Sequence, residues 1–79
     1  MHTERSQIEL DEAGTDAAVL GLLLAEPGLW AAEEVARIMG DDIATIDSLA
    51  RLHGHGLVHR LSGFVFATRA AVESARVAG

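Results

Sequence analysis

The 79-residue sequence contains no cysteine, which excludes a disulfide framework and any thiolate metal site and suits a reducing compartment. Aromatic residues are scarce: Trp30, Phe64 and Phe66 are the only three. There is one proline, Pro27, so the chain has a single strong proline punctuation point. Lysine is absent, and all six basic residues are arginine, the side chain suited to bidentate phosphate contact. The longest apolar run, residues 17–25, is too short to span a bilayer, so no membrane association is expected. The first residues, Met1-His2-Thr3-Glu4-Arg5, are polar and of mixed charge, without the apolar stretch of a secretory signal. These absences lead us to expect a cytoplasmic protein.

What is present is a chain that is 49% hydrophobic and rich in Ala, Leu and Val, enough for one small domain with a modest core. A fold of this size is marginal alone, which makes association plausible on stability grounds. The formal charge is −6, and by itself this speaks against nucleic acid. Its distribution is uneven. Residues 1–16 set Glu4, Glu9, Asp11, Glu12 and Asp16 against Arg5. Residues 17–42 carry Glu26, Glu33, Glu34, Asp41 and Asp42 against Arg37. Residues 43–79 carry Asp47 and Glu73 against Arg51, Arg60, Arg69 and Arg76. The chain is therefore acidic in front and mildly basic behind.

Residues 1–15 show no clean period; we expect an acidic N-terminal tail, or a short segment that packs only through Ile8 and Leu10. The domain proper is expected over residues 16–79. Asp16 reads as the N-cap of a first helix whose apolar face holds Leu20, Leu23 and Leu24, ended by Pro27-Gly28. Leu29-Trp30-Ala31 is a short apolar strand. Val35, Ile38 and Met39 give a second helix its period over residues 32–39, with Gly40 behind it. Asp41 or Asp42 caps a third helix, residues 42–53. On it Ile43, Ile46, Leu49, Ala50 and His53 share one sector, with Ala44, Asp47, Ser48 and Arg51 opposite. Leu57–Leu61 and Phe64–Ala67 are strand candidates around a Ser62-Gly63 turn, a β-hairpin. Thr68 caps a last helix, residues 69–77, which packs on the first helix or pairs with a second copy.

This order resembles the winged helix-turn-helix family. The residues that carry the resemblance are Leu29-Trp30-Ala31-Ala32-Glu33-Glu34-Val35-Ala36-Arg37-Ile38-Met39-Gly40, which look like the family's first strand and first motif helix. Leu49-Ala50-Arg51-Leu52-His53-Gly54-His55-Gly56-Leu57-Val58 looks like its "L-x-x-L-x-x-x-G-L-[VI]" phrase. The fold class expected is mainly α with a small β-hairpin: a three-helix core, a wing of two or three strands, and a C-terminal helix. A plain three-helix bundle is the alternative. The resemblance implies a small DNA-binding transcriptional regulator, acting as a homodimer, with double-stranded DNA as its partner and no cofactor. Ala44, Asp47, Ser48 and Arg51 would face the major groove, and His59, Arg60 and Ser62 would lie on the wing.

The sequence departs from a DNA reader at one place. Asp41 and Asp42 open the third helix where phosphates would lie close, and Asp47 adds a carboxylate to its outer face. As plain helix caps they would still hold negative charge there. Arg60 beside His59 is thus the better phosphate contact. The apolar residues of that helix also drift, because Ile43, Ile46, Leu49 and Leu52 follow at steps of three, and Thr45 stands where the family is commonly apolar. Either the helix is rotated or Ile43 is exposed for a partner. A winged-helix module for protein–protein contact is therefore the second expectation. His53, His55 and His59 suggest a metal only weakly, since they fall on three different elements; we expect none. No nucleophile elbow, P-loop, dinucleotide fingerprint or zincin motif occurs, and no enzyme is expected.

Overall fold

The computed structural model describes residues 3–78, and their side chains over residues 11–77. The element order is α1 (Thr3–Ala25), β1 (Trp30–Ala31), α2 (Ala32–Met39), α3 (Asp42–Gly54), β2 (Val58–Leu61), β3 (Phe64–Ala67) and α4 (Arg69–Ala78). The protein is mainly helical, with one three-stranded antiparallel sheet of order β1-β3-β2.

Local chemistry accounts for most of the boundaries. Gly40 ends α2 in the left-handed region, φ 82°, and its N–H donates to the Ala36 carbonyl, satisfying one of the helix's orphan acceptors. Asp41 caps α3, its carboxylate accepting from the Ala44 N–H at 3.0 Å. Thr68 caps α4 by accepting from the Ala71 N–H at 3.1 Å. The same hydroxyl donates to the Gly56 carbonyl at 2.7 Å, so one side chain pins the start of α4 to the turn behind α3.

The hairpin closes on Ser62 and Gly63, both at positive φ (49° and 83°), the two-residue turn whose twist matches that of its strands. Its register pairs Val58 with Ala67 and Leu61 with Phe64. The Gly63 carbonyl then accepts from the Ala32 N–H at 3.0 Å, tying the hairpin tip to the start of α2. Alternation along β3 puts Val65 in the core and turns Phe64 toward solvent. Trp30 is half-buried, and its indole N–H donates to the Glu26 carbonyl at 2.9 Å.

The core gathers Val19 and Leu23 of α1, Val35 of α2, Leu49 and Leu52 of α3, Val58 of β2 and Val65 of β3. Two expectations about α1 are corrected here. Asp16 is not an N-cap: α1 is already helical from Thr3 and runs on through residue 16. The expected packing of Ile8 and Leu10 lies outside the described side chains. The inner face of α1 is centred on Val19 and Leu23, with Leu20 and Leu24 at its margins.

The largest correction concerns α3. It buries Thr45, Ser48, Leu49 and Leu52, while Ile43, Ile46, Ala50 and His53 are exposed. The helix is thus turned by roughly a third of a turn from the face that hydrophobicity alone selects. The reason is tertiary. α3 packs against both α1 and α2. The small Thr45 and Ser48 side chains fit that close crossing, and Asp16 on α1 supplies a polar partner there. Among the described residues, no helix is long and apolar enough to cross a membrane.

Candidate functional site

A hydrogen-bonded polar cluster joins α1 to α3. The Asp16 carboxylate accepts from Ser48 Oγ at 2.6 Å, from Arg51 Nη2 at 2.9 Å and from Arg51 Nε at 3.1 Å. Glu12, one turn earlier on α1, lies 3.6 Å from Arg51 Nη1. The fork geometry is the strong form of an arginine–carboxylate pair. The hydrogen bonds from Arg51 hold the Asp16 carboxyl below the usual aspartate range; partial burial opposes this and the Ser48 hydroxyl supports it. Asp16 in turn raises the affinity of Arg51 for its proton, against some desolvation.

This cluster decides where the sequence-derived site residues stand. Ser48 is fully buried and bonded to Asp16. Arg51 is half-buried and held by two carboxylates. Ala44 is half-buried and Asp47 exposed; with Arg51 they line a cleft of about 300 Å³ between α1 and the start of α3. His59, Arg60 and Ser62 are exposed on the hairpin, apart from that cleft. His59 lies across the strand from Phe66, with ring centroids 5.0 Å apart. Arg60 instead borders a small cavity of about 80 Å³ with Ile46 and Phe64. The structure therefore brings together Ala44, Asp47 and Arg51, and does not unite them with the hairpin residues. Ser48 is no surface residue at all, which corrects its expected place opposite the core.

His53 and His55 are exposed at the end of α3, and among the described residues no three His, Asp or Glu side chains form a group that could hold a metal ion.

The outward face of α3 carries Asp42, Ile43, Ile46, Asp47, Ala50 and His53. Ile43 is 75% exposed and Ile46 57%. Two further large apolar side chains, Leu61 and Phe64, are exposed on the hairpin. A groove of about 530 Å³ between α2 and α3 runs from Ala32 and Ala36 to Ile46, with Glu33, Arg37 and Asp42 at its edges. It shares Ala32 and Ile46 with the small cavity that Arg60 and Phe64 line. Such a surface can bury apolar contacts and repel anions.

Sequence reasoning raised the exposure of Ile43 but missed Ile46 as a surface residue and Asp16 as the partner of Arg51. The steps of three along α3 were the available signal, because residues so spaced cannot all face one core. The Asp16–Arg51 pair, 35 positions apart, left no local trace.

Comparison with known proteins finds no matching family model, no matching curated protein and no matching solved structure.

Proposed function

We propose that the chain is a winged helix-turn-helix scaffold used for protein–protein contact, with α3 and the β2–β3 hairpin as its contact surface. The scaffold reading is supported by the element order, by the tight Gly40-Asp41 turn between α2 and α3, and by a short β1 joined to a two-stranded hairpin. One observation carries the choice of ligand. Arg51, the one arginine of α3, is consumed by Asp16 and Glu12, while Ile43 and Ile46 stand exposed between Asp42 and Asp47. DNA affinity is dominated by neutralised phosphates, and this face would bring carboxylates to them instead. Exposed large apolar residues grouped on one face are the usual mark of a protein interface.

A second reading is a dimeric DNA-binding transcriptional regulator that grips the backbone through its hairpin. It is favoured by Arg60, which has no carboxylate partner among the described residues, beside the exposed His59. A salt titration of binding to a generic DNA duplex, followed by fluorescence anisotropy, separates the two. The protein-contact reading expects no binding at low salt. A linear fall of log affinity with log salt, made shallower by Arg60→Ala, would establish the DNA reading in its place.

A further inference from the structure

Ile43, Ile46, Ala50 and His53 follow one another at steps of three, four and three residues, and all four are exposed. That is the spacing of the seam between two packed helices. Carboxylates border this stripe on both sides. Toward α1 stand Asp47, Asp41 and Asp11, around the cleft beside Ile43. Toward α2 stand Asp42 and Glu33, around the groove beside Ile46. Among the described residues, Arg37 is the one base lining that groove, Arg60 borders the small cavity next to it, and Arg51 on the other side is already paired. The groove wall is made of Ala32 and Ala36, small enough for another backbone to approach closely.

We propose that this stripe receives an amphipathic helix of a partner protein, one with apolar anchors along its seam and lysine or arginine on both flanks. The proposal rests on the protein-contact reading above and names the partner's chemistry. A second copy of α3 is the wrong occupant on charge grounds. Antiparallel pairing of two α3 helices in register along the stripe brings Asp47 beside Asp47, and parallel pairing brings Asp42 beside Asp47. Every arrangement opposes like charges, which selects against self-pairing and for a basic partner. The apolar seam supplies the affinity in the helix-in-groove mode, and the carboxylates supply the choice of flank.

The test uses the whole chain and two synthetic helices with leucine at the seam positions, one flanked by lysine and one by glutamate. Binding is followed by anisotropy of a label on the peptide. The lysine helix is expected to bind saturably and more weakly as salt rises, and the glutamate helix not to bind. The double variant Ile43→Ser, Ile46→Ser should lose about tenfold or more in affinity, as for removal of central anchors, with an unchanged circular dichroism spectrum. Asp42→Lys with Asp47→Lys should reverse the preference toward the glutamate helix. Equal binding of both helices, or binding indifferent to the isoleucine pair, would overturn the proposal and leave the protein-contact reading standing. Self-association abolished by the isoleucine substitutions would also overturn it, because the second copy would then be the occupant. Duplex DNA binding weakened by the same substitutions would defeat the protein-contact reading itself.

Discussion

Replacing Asp16 with alanine removes the one acceptor that serves both Ser48 and Arg51. The Ser48 side chain is fully buried, and its hydroxyl has no other partner among the described residues. Stranding a buried hydroxyl costs about 1–2 kcal/mol. The fork to Arg51 lies between side chains 22% and 30% exposed, so solvent screens it in part, and its loss adds about 1 kcal/mol. The sum is about 2–3 kcal/mol, a large share of the roughly 5–10 kcal/mol that holds a chain of this size together. For so small a domain this lowers the melting temperature by roughly 10–20 °C. Urea unfolding followed by circular dichroism measures it directly. Ser48→Ala supplies the internal control. Alone it should destabilise the protein by about 1 kcal/mol, and in the Asp16→Ala background it should restore stability by removing the stranded hydroxyl. The pH dependence has a definite sign. The folded pKa of Asp16 lies below its unfolded value of about 3.9, so its contribution is complete above that value and is lost as pH falls through the lower, folded one. The gap between wild type and Asp16→Ala should therefore begin to narrow as pH falls below about 4 and close only below the folded pKa. A cost for Asp16→Ala within about 0.5 kcal/mol, the range of an ordinary surface change, would refute the reasoning, as would a Ser48→Ala change that restores nothing.

Two further outcomes follow from the same packing. Thr45 is fully buried and its hydroxyl has no hydrogen-bond partner among the described residues, so Thr45→Val should raise stability by about 1 kcal/mol in the same urea assay; a loss would mean that the hydroxyl is paired in solution. Gly63 closes the hairpin at φ 83° in open space, so Gly63→Ala should cost about 1 kcal/mol from backbone strain alone, read as a lower melting temperature with unchanged helical signal.

The sequence by itself determined the order of elements and most of their ends. α2, the Asp41 and Thr68 caps, the Gly40 stop and the Ser62-Gly63 turn are all written in local chemistry, because a cap or a positive φ depends on residues a few positions apart. It also held the warning on α3, in apolar residues spaced too evenly to share one face. Only the tertiary structure decided which of them turn inward. The crossing of α3 with α1 and α2 fixed its rotation, buried Thr45 and Ser48, and left Ile43 and Ile46 outside. It likewise took Asp16 from an expected helix start to the middle of α1 and set it against Arg51. No local pattern encodes a pair 35 positions apart, yet that pair removes the cation from the face on which a DNA contact was expected. What the outer face of α3 offers is thus governed less by the residues it carries than by the neighbour that claims one of them.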